Sequence, residues 1–339
     1  MQCQLMEPSG VGQARFEPLP RTTTASGQPR RVGFELEIAG VPPQVIAQAI
    51  VSVAGGTAEH QSAFLSQVND SSLGDFNIEL DASLLRDRRY QSALEDMGVN
   101  IGHGETRDNL ENWLAEIAGL MVPREIVAPP IAWKHLAELD KIREELLNAG
   151  AKGTHASPLY AFGLQINIES ASLEAEYLLS ILRAFLLSYD WLLERAQVDL
   201  SRRISPYVHA FPEDYAVHVL DPEYQPGIRE LIDDYLRYTP TRNRPLDLLP
   251  LFAHVDEARV MEAPVEHELI KPRPAFHYRL PNCLIDEPDW SLAVPWNDWV
   301  AVEKLAAQPQ DLKRLCQSRL HDSSEAKQWL SSVIRKLRS

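Results

Sequence analysis

From Arg31 the chain reads Arg-Val-Gly-Phe-Glu-Leu-Glu-Ile, apolar against acidic with a period of two. That is the pattern of a strand with one buried and one wet face, and it puts Glu35 and Glu37 together on the wet one. Pro42-Pro43 and Gly55-Gly56 bracket a helix over 44–54, and Phe76-Asn-Ile-Glu-Leu-Asp predicts a second strand. Helical periods recur over 84–97 and 107–120. Glu125-Ile-Val-Ala-Pro-Pro predicts a short strand ended by prolines. The spacing of Leu136, Leu139, Leu146 and Leu147 predicts an amphipathic helix over 134–149 with Gly150 as its stop.

Residues 159–169 alternate again and predict a strand, and 173–198 is apolar enough to be a central buried helix. The stretch 201–275 carries many prolines and few clear periods; we expect a helix over 226–237 and an irregular insert over about 240–275. A last strand over 276–280 and helices over about 297–307, 309–318 and 323–337 complete the pattern, with no internal repeat. Residues 1–30, rich in Pro, Gly, Ser, Thr and Gln, read as a flexible N-terminal arm. The folded domain is then expected over 31–307, followed by C-terminal helices over 308–339. Short strands separated by helices, with charged or amide side chains on alternate strand positions, predict an α+β fold. Its sheet is mainly antiparallel, with helices on one face and an open polar face as the ligand surface.

Charge narrows the choice of partner. A formal net charge of −15, spread along the 339 residues, argues against a broad grip on a phosphate backbone, so nucleic acid is not expected. Cys3, Cys283 and Cys316 are far apart and form no C-x-x-C pair. They read as reduced thiols of a cytoplasmic protein. The first residues lack a basic region followed by an apolar run, and Arg183 and Asp190 interrupt the most apolar stretch, so neither export nor membrane insertion is expected.

The chemistry lies in the polar positions of the strands. In Gly33-Phe-Glu35-Leu-Glu37 two carboxylates about 7 Å apart on one strand face can hold a hard cation through oxygen. Asp81-Ala-Ser83-Leu, Glu125-Ile-Val-Ala-Pro-Pro and Gly163-Leu-Gln165-Ile-Asn167-Ile follow in order, each with polar groups at strand spacing. Taken singly these are also what a cap, a surface ion pair or a solvated strand face provides. H-E-x-x-H, G-x-x-x-x-G-K-[ST] and G-x-S-x-G are missing from the sequence, which removes the usual zinc protease, P-loop and serine hydrolase arrangements. Trp290, Trp296 and Trp299 could wall a pocket, but packing of C-terminal helices on the sheet accounts for them.

The ordered set G-x-E-x-E, D-x-S-L, E-I-V-x-P-P and G-L-x-x-x-I resembles the amidoligase family of the glutamine synthetase and glutamate–cysteine ligase superfamily, over Arg31 to about Ala307. The resemblance implies a curved sheet of the glutamine synthetase catalytic-domain type. It also implies an ATP- and Mg²⁺-dependent carbon–nitrogen ligase that joins a small-molecule or peptide carboxylate to an amine through an acyl phosphate. By the same resemblance Glu35, Glu37 and Glu125 would hold Mg²⁺, and Arg202, Arg203, Arg279, Gln165 and Asn167 would bind the nucleotide. Arg203, Arg279 and Asp81 would serve the reaction, and Tyr207 stands beside the arginine pair. Gln165, Asn167 and His277 depart from the family pattern, which usually has histidines in the strand of Gln165 and a glutamate at the place of His277. Two alternatives follow: a member of the same fold that binds a peptide, carboxylate or nucleotide without turnover, and phosphoryl transfer to a guanidino or amine group.

Overall fold

The alternation at Arg31 forms the middle of the sheet. In a computed structural model, which describes residues 15–62, 65–80, 124–156, 163–196 and 209–321, β1 (Arg31–Ile38) buries Val32, Phe34, Leu36 and Ile38. Glu35 and Glu37 stay half-buried on the other face. A hairpin of β2 (Thr57–His60) and β3 (Leu65–Asn69) leads into β4 (Phe76–Leu80). Then come β5 (Arg124–Val127), β6 (Ile131–Ala132), β7 (Leu164–Glu169), β8 (Leu246–Asp247) and β9 (Ala275–Tyr278). The nine strands run β2-β3-β4-β5-β1-β7-β9-β8, with β6 paired to β1, and every pairing is antiparallel. The sheet is open, and the architecture is α+β.

Helices cover the apolar face. After β1, α1 (Pro43–Ala54) starts on a proline at its first turn and stops at Gly55, whose φ of 69° lies where glycine has no steric penalty. It packs Ile46 and Ile50 onto the sheet, joined by Leu139, Ile142 and Leu146 of α2 (Leu136–Asn148). The long α3 (Ala175–Ala196) adds Leu178, Leu182 and Phe185, and it lies against α8 (Ala293–Ala306) and α9 (Pro309–His321). Phe276 and Tyr278 of β9 set their rings 5.6 and 5.7 Å from Trp299 of α8. Trp290, Trp296 and Trp299 are all core residues, as packing requires of side chains that bury so much area.

Between α3 and β9 the described residues of the stretch that sequence leaves without a clear period form four helices: α4 (Glu213–Leu220), α5 (Ile228–Tyr238), α6 (Leu249–Val255) and α7 (Glu257–Met261). The segment expected to be an irregular insert therefore carries β8, α6 and α7. The helical periods over 84–97, 107–120 and 323–337 lie outside the described residues.

Part of the stretch expected as a flexible arm packs on the body. Leu19 is buried, the Trp296 indole N–H donates to the Glu17 carbonyl at 2.8 Å, and the Glu17 amide donates to Asn297. Arg30 accounts for the anchoring. Its guanidinium forks onto both oxygens of Glu303 at 2.7 and 2.8 Å, donates to the carbonyls of Glu169 and Arg21, and is almost wholly buried. The Trp299 indole adds a hydrogen bond to Glu303. A sequence poor in large apolar groups is thus ordered here by charge-assisted hydrogen bonds. Among the described residues no helix is long and apolar enough to cross a membrane, and Cys283 and Cys316 are buried.

Candidate functional site

Strand register, more than any loop, builds the site. Glu37 stands directly opposite Glu125 on β5, and Glu125 directly opposite Glu79 on β4. Directly opposed residues of an antiparallel pair hold their Cβ atoms about 5 Å apart, and like charges so placed repel. Three neighbouring strands therefore present a row of three half-buried carboxylates. Glu79 escapes the sequence reading, although its period-two spacing with Asn77 and Asp81 was the available signal.

The next two rows are amide-rich. Glu35 faces Gln165, while Gly33, Asn167, His277 and Asp247 follow one another across β1, β7, β9 and β8. Asn167 Nδ2 donates to Glu35 Oε1 at 2.7 Å, and Gln165 Nε2 donates to Asn167 Oδ1 at 2.8 Å. Gln165 Nε2 also lies 3.3 Å from His277 Nδ1. Glu37 Oε2 accepts from the Gly163 amide at 2.6 Å.

Beyond this network, guanidinium groups gather. Arg279 donates to the Arg242 carbonyl and lies 4.0 Å from the buried Asp247. Burial, and then the neighbouring Arg279, lower the pKa of Arg242, which also feels Asp247, Glu35 and Glu266. His277 is buried; desolvation, followed by Arg273, Arg279 and Arg242, holds its pKa well below the usual imidazole range. It is therefore neutral. Burial pushes the Asp247 carboxyl up to about 6 despite Arg279 and the Leu249 amide that accompany it.

The expected site residues within the described chain thus share one face: Glu35, Glu37, Glu125, Gln165 and Asn167 on adjoining strands, with Arg279 just past the end of β9. Asp81, Arg202, Arg203 and Tyr207 lie outside the described residues. Arg242 and Asp247 were not expected, since they sit in the proline-rich stretch where no periodicity marks a strand.

The donor chemistry fits a hard cation, because the row offers carboxylate oxygens backed by rigid ladders and no thiolate. Among the described residues, however, no three His, Cys, Asp or Glu side chains are gathered closely enough to hold a metal. Asn167 and the Gly163 amide engage one oxygen each of Glu35 and Glu37. A cavity of about 720 Å³ opens elsewhere, on the helical side beside Tyr177, Arg183, Leu312 and Cys316, and no polar strand-face residue lines it. Burial pushes its Cys316 thiol up to about 11, away from thiolate chemistry.

An open antiparallel sheet with acidic and amide rows beside an arginine cluster defines a class of fold and site. Residues 28–301 match the family described as "Putative amidoligase enzyme", and the chain belongs to that family. Membership points to a ligase. No curated protein and no solved structure matches the chain.

Proposed function

We propose that this protein is an ATP- and Mg²⁺-dependent carboxylate–amine ligase. The observation that supports it best is the division of one sheet face into a carboxylate row, Glu37–Glu125–Glu79, and an arginine-flanked wing around Asn167, His277 and Arg279. A triphosphate and a carboxylate, both anionic, need such paired means of neutralisation.

In this reading Glu35, Glu37 and Glu125, with Glu79, hold Mg²⁺, which when bound draws charge from phosphate oxygens. Arg279 and Arg242 contribute guanidinium donors for anionic oxygens, with Arg202 and Arg203 as further candidates. Gln165 and Asn167 orient by hydrogen bonds and, as neutral amides, transfer no proton. Substrate carboxylate oxygen bonds to the γ-phosphorus as the bond to ADP breaks. The amine nitrogen then bonds to the acyl carbon as phosphate leaves, and its proton passes to a base such as Asp81. Positioning and charge neutralisation suffice, which agrees with a polar face rich in Glu, Asn, Gln and Arg.

Hydroxylamine offered as the acceptor, with ATP, Mg²⁺ and pooled carboxylic acids, tests this directly. Hydroxamate formed by wild type and lost in Glu35→Ala supports the ligase. A specific observation favours a second reading, in which the fold binds a carboxylate or nucleotide without turnover: Glu35 and Glu37 are already engaged in internal hydrogen bonds. Saturable binding with neither hydroxamate nor ADP formed would select that reading.

A further inference from the structure

The hydrogen-bond chain on β7 has a direction, and that direction fixes the tautomer of His277. A carboxylate only accepts, so the Asn167 group facing Glu35 at 2.7 Å is its N–H₂ and its Oδ1 turns the other way. That oxygen accepts from Gln165 Nε2 at 2.8 Å. The amide nitrogen can only donate, so His277 Nδ1, 3.3 Å away, accepts. A neutral imidazole that accepts at Nδ1 carries its proton on Nε2. His277 Nε2 is buried and, among the described residues, has no hydrogen-bond partner, although the residue is only 2% exposed.

A buried donor left unpaired costs free energy, and native structures usually supply it with a partner. What surrounds this one favours a negative partner. Arg273, Arg279 and Arg242 all act on the ring electrostatically. Opposing them are Asp247, the cross-strand neighbour of His277, together with Glu266 and Glu35, which act on Arg242. Glu266 is already occupied by the Thr241 hydroxyl at 3.0 Å and the Arg242 amide. Asp247 spends Oδ1 on the Leu249 amide and, among the described residues, leaves Oδ2 buried without a hydrogen bond. A metal ion needs a lone pair, which the protonated Nε2 lacks, and three guanidiniums repel it.

We propose that His277 Nε2–H and the Arg242 guanidinium form an oxyanion subsite, taking a carboxylate or phosphoryl oxygen at the β9–β8 edge of the sheet. Arg279, which lies beside both residues, completes the donor set. The subsite differs in sign from the acidic row three strands away. A ligand carrying both a metal-bound anionic end and a free oxyanion would thus have a fixed orientation along the rows.

The subsite rests on the proposed reading that Arg242 and Arg279 serve anionic oxygens; calorimetric titration of the full chain with inorganic phosphate, and separately with acetate, tests it without any turnover, so its failure is distinguishable from a failure to form hydroxamate. The expected result is saturable millimolar binding of at least one probe in wild type. Affinity should fall about ten-fold in both Arg242→Gln and His277→Leu, the size of one lost charge-assisted hydrogen bond. Preference for phosphate assigns the subsite to a phosphoryl group, and preference for acetate to a substrate carboxylate. Circular dichroism checks the fold of each variant; Arg242, part-exposed, is the safer of the two. ¹⁵N-histidine spectra of wild type should show the His277 proton on Nε2. Wild type that binds neither probe, binding unchanged in Arg242→Gln, or a proton on Nδ1 overturns the proposal.

Discussion

Asn167 donates to Glu35 across the β1–β7 ladder at 2.7 Å, so a neutral amide holds one oxygen of a carboxylate proposed to bind a cation. Replacing that amide by Asn167→Asp puts two carboxylates in hydrogen-bond contact. Without divalent ions the variant should be destabilised by about 1–3 kcal/mol, the cost of an unpaired half-buried acceptor next to a like charge. Mg²⁺ should restore more stability to it than to wild type. Thermal unfolding with and without Mg²⁺ reads both effects, and a variant indifferent to Mg²⁺ would mean that no cation reaches Glu35.

Asp247 makes stability depend on pH in an unusual sense. Burial raises its carboxyl to about 6, whereas an unfolded chain gives an ordinary value of about 3.9. Between these values the folded state holds a proton that the unfolded state has lost, so stability falls as pH rises through the window. The full penalty, on the order of 3 kcal/mol, is present above about pH 6. Asp247→Asn keeps an acceptor for the Leu249 amide and does not titrate. Its gain over wild type should therefore be largest above pH 6 and vanish below about pH 4, as urea unfolding across that range would record.

The Arg30–Glu303 pair ties the residues before β1 to α8 with side-chain exposures of 0% and 2%. Arg30→Ala leaves Glu303 buried with only the Trp299 indole as a donor. We expect a loss of about 3–5 kcal/mol, the range for breaking one side of a buried pair. Replacing both residues by Arg30→Met and Glu303→Leu should recover part of it. Denaturant titration of the single and double variants decides whether the pair anchors the segment.

Much of this fold is legible in the sequence because most of the decisive strands alternate. β1, β4 and β7 set apolar side chains on the helical face and mainly acids or amides on the other, whereas β5 departs from the pattern by placing Arg124 beside Ile126 on the helical face and Val127 beside Glu125 on the polar one. The stop of α1 is equally plain, since Gly55-Gly56 both adopt positive φ. The hairpin β2–β3 was hidden because all four residues of β2 are exposed and show no apolar period. α4 was masked by neighbouring prolines, although Pro212 stands as its N-cap. The arginine wing was illegible for a different reason: Asp247 belongs to a strand of two residues, and Arg242 to a turn, so only tertiary pairing with β9 brings them to Asn167 and His277. Residues 15–30 looked unable to order because composition counts apolar surface and not buried ion pairs.

Glutamates directly opposed across a ladder should hinder one another when no divalent ion is bound. Glu125 stands between Glu37 and Glu79, so Glu125→Gln should stabilise the metal-free protein by about 0.5–1 kcal/mol through relief of cross-strand repulsion. Equilibrium unfolding in chelator measures that gain, and an equal gain in saturating Mg²⁺ would show the row to be merely a solvated face.

Paramagnetic resonance of Mn²⁺ titrated into the protein with a non-hydrolysable ATP analogue addresses the carboxylate row itself. Wild type should bind the ion tightly in the presence of the analogue, and both Glu37→Gln and Glu125→Gln should weaken that binding ten-fold or more, about the effect of one lost charged ligand. Equal Mn²⁺ binding in wild type and both variants would contradict the account.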